Sequence, residues 1–545
     1  MADQPGPKKR RRWGRWLSAA VGLLLLGIPL LGWLYVTTGR AQVQRAMADA
    51  RAGGTPLTFE EIEAARKVWP DDENGARIIL ELADRLDHLR VLDGEVVLDE
   101  NGEGWVELPE WFQPVGEEFV ISVSSPGGFV PVRVAEREGR HRFRIVDGRP
   151  GLPVAWFAET GMDALPIVGQ ADAPPLGQRW SDETDRLVAS LLRCVSAELA
   201  AIDQLADFEG GRLPFEISGD PLDTLFPERL YMRTSFNVKM LQVVRRAMRQ
   251  DASELSRDIR VLFHHCRLFG DEPTSIAVSL RTDLERTAVD TIEQACALTT
   301  LTHAQLIDID GELAEADQEG KLYWGMLGER AACLAFYDRL LAGDDPDFEE
   351  MRRRARHPFM RGLSLRNQAL LLGFWNRVVA DADITARGAE TLRQVNLELG
   401  HVPRYQRHLI GPFAPCGVRA FELDLETTGE IRCARAALAV ERYRLDHEGF
   451  PDRLDQLAPD YLEKIPVDPF DGAPLRYRVD EDVVTVYSIG ENRTDDDGDV
   501  QSRFARPRGE WSDVGFVLLV PEQRGRPAVE PSATGPSGTT HPGED

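Results

Sequence analysis

From Trp16 to Val36 the chain has 21 residues without a charged side chain. At about 1.5 Å per residue, a helix of that length reaches roughly 30 Å, the thickness of a bilayer's hydrocarbon core. Its centre is Leu23, Leu24, Leu25 and Leu26, and Trp13, Trp16, Trp33 and Tyr35 lie near its ends. Amphipathic rings prefer those interfacial depths. Pro29 sits inside the run, where a spanning helix tolerates it better than a soluble one. Lys8, Lys9, Arg10, Arg11, Arg12 and Arg15 precede it. The excess of basic residues on that side predicts a cytoplasmic N-terminus and an extracytoplasmic bulk. The expected partner of residues 16–36 is the lipid bilayer, and the expected location is the bacterial inner membrane. A cleaved signal peptide is the rival reading. It requires a shorter apolar core, and the available Ala46-x-Ala48 site lies about ten residues past the run.

The whole chain carries net charge −26, and six basic residues against Asp3 give residues 1–15 a charge of +5. The remainder is therefore at −26 − 5 = −31. A surface that acidic repels nucleic acid, and no basic, aromatic-interleaved patch offsets it. Nucleic acid is excluded as a partner.

The six cysteines (Cys194, Cys266, Cys296, Cys333, Cys416 and Cys433) form no Cys-x-x-Cys and no zinc spacing. Cys194, Cys266, Cys296 and Cys333 fall in apolar helical patterns and read as small buried hydrophobes. Cys416 and Cys433 are the pair best placed to bridge, if any pair does.

The patterning predicts an α+β chain of several units. A basic head (1–15) and a transmembrane helix (16–37) lead into a helical juxtamembrane segment (38–90), with a capping box at Thr58 and Glu61. Short alternating runs with turn residues between them predict a small antiparallel β region over 91–173. Pro174-Pro175 mark a linker. A helical domain follows over 174–413, its starts signalled by Ser181, by Thr302 with Gln305, and by Asp345-Pro346. Residues 414–522 form a C-terminal module, and 523–545 read as a disordered tail.

In that module Thr427 and Glu430 fit another capping box. The helix they open carries Ile431, Ala434, Leu438 and Leu445 on one face and ends at Gly449. Phe450-Pro451, Leu454, Leu457, Pro459, Ile465-Pro466, Asp468-Pro469-Phe470, Gly472 and Pro474 follow. A strand pair, Leu475–Val479 and Val483–Ser488, runs into Gly490-Glu491-Asn492-Arg493-Thr494-Asp495-Asp496-Asp497-Gly498-Asp499. About 75 residues here resemble the globular part of the major pseudopilin of type II secretion systems. The resemblance implies a helix, a proline-fixed loop, a hairpin and a Ca²⁺-binding acidic loop. The chain departs from that family in its anchor, which lies far upstream of this helix and lacks the pseudopilin processing site. The whole chain also resembles large membrane-anchored bacterial proteins of planctomycete type, a likeness that implies no activity.

Asp495, Asp497, Asp499 and Glu491 supply oxygen ligands within nine residues, which suits calcium, although the spacing is not that of an EF-hand. The alternative is a solvated acidic turn. His264-His265-Cys266 lies in an apolar helix, where adjacent rings point in different directions, so a structural role is expected. Asp308, Asp310 and Glu312 read as a solvated helix face. No nucleophile elbow, phosphate loop, dinucleotide fingerprint or zincin motif is present. These features point to a membrane-anchored structural or protein-interaction protein of the envelope, related to secretion through its C-terminal module. The alternatives are an extracytoplasmic enzyme with a site between the helical and β regions, and a calcium-dependent binding module.

Overall fold

The computed structural model describes residues 10–83, 85, 97–98, 104–107, 118–125, 128–138, 142–147, 175–215, 228–318, 320–342, 357–403, 418–500 and 513–527. Across them the chain is α+β: mostly helical, with two antiparallel sheets.

The first helix, α1, runs unbroken from Arg10 to Ala52. It stops at Gly53-Gly54, where Gly54 takes φ 70°. The Gly54 amide donates to the Arg51 carbonyl and the Thr55 amide to that of Ala50, a Schellman closure that glycine makes without strain. α2 (Phe59–Ala65) begins at Thr58, whose hydroxyl accepts from the Glu61 amide. The Glu61 carboxylate turns to the Leu57 amide and not to that of Thr58, so only half of the expected box forms. α3 spans Ala76–Glu81, and the rest of the segment expected to be helical, residues 84 and 86–90, lies outside the described residues.

Strands β1 (Val97–Leu98), β2 (Gly104–Glu107), β3 (Glu118–Ser125), β4 (Gly128–Glu138) and β5 (Arg142–Asp147) make an antiparallel sheet in the order β1-β2-β5-β4-β3. These strands fall within the segment expected to be antiparallel β, of which residues 148–173 lie outside the described residues.

The helical body comprises α4 (Asp182–Cys194), α5 (Ser196–Ile202), α6 (Glu228–Met248), α7 (Leu255–Arg267), α8 (Ser275–Leu298), α9 (His303–Ala316), α10 (Tyr323–Ala342), α11 (Pro358–Asp381) and α12 (Thr385–Gly400). Ser181 caps α4, and Thr302 with Gln305 closes a full capping box on α9, both as expected. Asp345-Pro346 lies outside the described residues.

The last helix, α13 (Val418–His447), begins well before Thr427. Thr427 therefore sits mid-helix, its hydroxyl donating to the Leu423 carbonyl, and Glu430 is engaged by Arg286 on α8. The expected capping box does not form. Nor does α13 have a single apolar face. Ile431, Cys433, Ala434 and every residue from Ala436 to Val440 are fully buried, because the helix runs between the helical body and the sheet β6 (Arg476–Val479), β7 (Val483–Ser488) and β8 (Val514–Leu519). A helix apolar on all sides is a central one. One continuous core holds Phe236, Phe263 and Leu298 of the body together with Leu438, Val486 and Phe516 of the module.

Two expected loose segments are fixed. The chain after Pro175 pairs with the C-terminal end: the Arg179 amide donates to the Arg526 carbonyl and the Arg526 amide to that of Gly177, both at 2.8 Å. Residues 523–527, read as the start of a disordered tail, are held because the Arg524 guanidinium grips the buried Glu441 carboxylate at 2.7 and 2.9 Å. Residues 528–545 lie outside the described residues.

Candidate functional site

The acidic turn is built on Asp468. This fully buried carboxylate accepts from the Phe470 and Ile489 amides, the Ser488 hydroxyl and Arg476, at 2.5–3.0 Å. It thereby locks the Asp-Pro-Phe loop to the end of β7. From there the chain turns through Gly490, Arg493, Asp497 and Gly498, all at positive φ. Gly498 has a second reason to be glycine, since a Cβ there would lie 2.9 Å from the Tyr487 ring.

The turn is held by its own hydrogen bonds, while Asp495, Asp497 and Asp499 stay exposed. Asp495 accepts from the Tyr487 hydroxyl at 3.2 Å and from the Asp497 amide at 3.1 Å, and its other oxygen lies 3.7 Å from Arg476 Nε. Arg478 donates to the Asp497 carbonyl at 2.8 Å. The residue that the sequence reading missed is Asp513. It reaches in from the start of β8 and accepts from the Gly498 amide at 2.8 Å and the Asp496 amide at 3.1 Å. Burial raises its carboxyl above the ordinary range, while those two amides pull it down. Burial, and then the charge of Asp495, push the Tyr487 hydroxyl up to about 12. Of the four residues proposed for calcium, Asp495 joins the turn's hydrogen bonding through its carboxylate and Asp497 through its backbone. Glu491 and Asp499 also have interaction partners. Among the described residues no group of three or more His, Cys, Asp or Glu side chains converges as metal ligands.

The histidines separate as expected. His265 is buried between the Val261 carbonyl, 2.7 Å from Nδ1, and the Ser235 hydroxyl, 3.0 Å from Nε2. Burial pushes its pKa down to about 4, so it is neutral and structural. His264 faces Arg267 and Glu312 instead. Of the face expected to be solvated, Asp308 is exposed, whereas Asp310 and Glu312 are not. α9 packs against both α7 and α13, so Glu312 binds Arg260 and Arg267 while Asp310 binds Arg435.

Carboxyls raised by burial, such as Asp258, Glu293 and Asp424, lie inside the packed helical body. Asp258 is held by Lys239 at 2.6 Å and Arg246 at 2.8 Å, and Asp424 accepts from Thr385 at 2.8 Å.

Cys266, Cys296, Cys333 and Cys433 are free and buried. Cys433 belongs to the α13 core, with its sulfur 3.9 Å from the Val514 carbonyl, so it is not bridged to Cys416, which lies outside the described residues. Burial raises all four thiols. The expected result is that none of these four reacts promptly with a thiol reagent in the native protein, and that all react in denaturant. Prompt native labelling of Cys433, located by peptide mapping, would contradict the packing of α13.

No family model, curated protein sequence or solved structure matches the chain.

Proposed function

We propose that this chain is a single-pass, membrane-anchored structural or protein-interaction protein of the bacterial envelope. Its N-terminus lies in the cytoplasm, and the α+β body stands on the extracytoplasmic side. The observation that carries the reading is the split character of α1. Leu26, Ile28, Leu30, Leu31, Trp33 and Leu34 are 43–77 % exposed and spread over more than half of the helix circumference. The same helix meets the start of α11 at Gly32 and Tyr35, and from Gly39 onward it docks on α11 through Val43, Ala46 and Ala50. Fully burying each large apolar side chain is worth about 1.5–3 kcal/mol, so such a sleeve demands an apolar surrounding. Among the described residues no helix is long and apolar enough to cross a membrane. The side chains at 17–25, the centre of the run, lie outside the described residues.

Within the body, charged residues are used to join helices. Arg286 on α8 pairs with Glu426 and Glu430 on α13, and Lys321 pairs with Glu285. A body cross-linked in this way suits a scaffold that presents a surface. The pseudopilin-like reading of the C-terminal segment is supported by its helix, the 3₁₀ turn at Leu454–Leu457 and the β6–β7 pair. Assembly into a pseudopilus through α13 is disfavoured, because that helix is already enclosed by its own chain.

The anchor predicts that the full-length protein stays in the membrane pellet after alkaline carbonate extraction and enters solution in detergent. Deleting residues 16–36 should release it without detergent. A full-length protein freed by carbonate alone would count against the anchor.

The acidic turn supports a second, calcium-dependent reading. If Asp495, Asp497, Asp499 and Glu491 held calcium, a chelator would lower the melting temperature of the full chain. An unchanged melting temperature would sink the calcium reading and leave a turn held only by its own hydrogen bonds to Asp495 and Asp513.

A further inference from the structure

We infer that the first turn of α11 (Pro358, Phe359 and Met360) is a second membrane-contacting element, seated in the interfacial layer beside the anchor. The inference rests on the anchor reading and adds a depth and a ligand, the headgroup–acyl boundary of the bilayer itself. α1 and α11 run side by side in the same direction. A Cβ built at Gly32 would lie 3.3 Å from Pro358, and one at Gly39 would lie 2.9 Å from Leu365. Asn376 donates to the Ala46 carbonyl at 2.8 Å. The register is pinned by the Tyr35–Phe359 stack, with centroids 5.2 Å apart and planes 7° apart. It is also pinned by Arg366, which lies 4.3 Å from the Tyr35 ring centroid and donates to the Thr38 hydroxyl at 2.8 Å.

This register fixes depth. Pro358 stands level with Gly32, four residues before the end of the 16–36 span at Val36. At about 1.5 Å per residue, the first turn of α11 lies roughly 6 Å inside that end. A bilayer crossed by 16–36 therefore surrounds Phe359 as well. Phe359 is 51 % exposed although it is a large aromatic at the start of a helix that is otherwise well buried. With Trp33 and Tyr35 at the same level, it completes the kind of aromatic belt found at membrane interfaces. In sequence, Arg352, Arg353, Arg354 and Arg356 precede this turn and Arg361 follows it, after an acidic stretch at 344–350. Basic residues beside interfacial aromatics match anionic headgroups.

The test uses full-length protein in phosphatidylcholine–phosphatidylglycerol vesicles, with a polarity-sensitive fluorophore on a single introduced cysteine. The buried native thiols are blanked with unsubstituted protein. Phe359→Cys reports the turn, and His357→Cys reports the same depth while leaving the Tyr35–Phe359 stack intact. Leu26→Cys reports the anchor, and Leu397→Cys reports an exposed site on the body. The expected result is blue-shifted emission at 357 and 359, lost to lipids spin-labelled near the headgroup and retained with aqueous iodide, while 397 behaves oppositely. Lipid quenching at 26 with iodide quenching at 357 and 359 would overturn the inference and leave the anchor standing. Shielding of 357 and 359 from both quenchers would assign the turn to a protein partner or a second copy, and would also overturn it. Absence of lipid quenching at 26, 357 and 359 alike would remove both the inference and the anchor.

Discussion

Replacing Arg286 with alanine should destabilise the protein by about 3–5 kcal/mol, because it strands two buried carboxylates. For a body of this size that corresponds to a fall in melting temperature of about 10 °C. Arg286 donates to Glu430 through Nε and Nη2 at 2.6–3.1 Å, and to Glu426 through Nη1 at 3.0 Å. All three residues are buried at the crossing of α8 and α13. Burial alone would lower the arginine's pKa, but the two carboxylates reverse that and hold it charged. The cost arises mainly from unpaired charge and not from a large net value of the pair. Arg286→Met combined with Glu426→Leu and Glu430→Leu should therefore recover most of the loss. Thermal melts of the single and triple variants check this. A single variant that melts with the wild type would show that the carboxylates reach water.

Glu293 gives the second large effect, and it depends on pH. Its carboxyl accepts from the Val517 amide at 2.6 Å, where α8 meets β8. Burial pushes its pKa up to about 8, with Asp290 and Glu430 adding to the rise and the Val517 amide opposing it. The unfolded carboxyl titrates near 4.5, so the folded state holds the proton more tightly. Stability is then full below about pH 4.5, falls as pH rises towards about 8, and is level above that. At 1.36 kcal/mol per unit the loss approaches about 5 kcal/mol, and the 9 % of its surface that Glu293 retains makes a few kcal/mol the working figure. Glu293→Gln keeps an acceptor for Val517 and removes the titration. The variant should match the wild type near pH 4 and exceed it by a few kcal/mol at pH 9, measured by denaturant unfolding at both values. Equal stability at pH 9 would mean that Glu293 is hydrated.

These two sites show where sequence reading stops. Local signals were legible: the caps at Ser181 and Thr302, the helical periodicity over α6 to α11, the alternation in the β region and the β6–β7 pair all appear where the patterns place them. Each depends on neighbours within a few residues. Thr427 and Glu430 carried the same local signal, and it failed because α13 had already begun at Val418 and Glu430 was needed by a residue 144 positions away. The acidic turn was visible as a cluster, but its geometry is set by Asp513, which arrives with a third strand from beyond residues 501–512. No spacing rule links that aspartate to the turn. The start of the tail, residues 523–527, was misjudged for a similar reason: its composition is loop-like, yet Arg524 has a buried partner in Glu441, 83 positions earlier.

The account's central claim is that α1 carries the chain across a bilayer with its basic end inside. A membrane-impermeant thiol reagent applied to spheroplasts tests it most directly, with one cysteine introduced at Gln4 and, in a second variant, one at the 79 % exposed Val68. The account predicts that Val68→Cys is labelled in intact spheroplasts and Gln4→Cys only after permeabilisation. Labelling of Gln4→Cys in intact spheroplasts, or protection of Val68→Cys until they are opened, would contradict it.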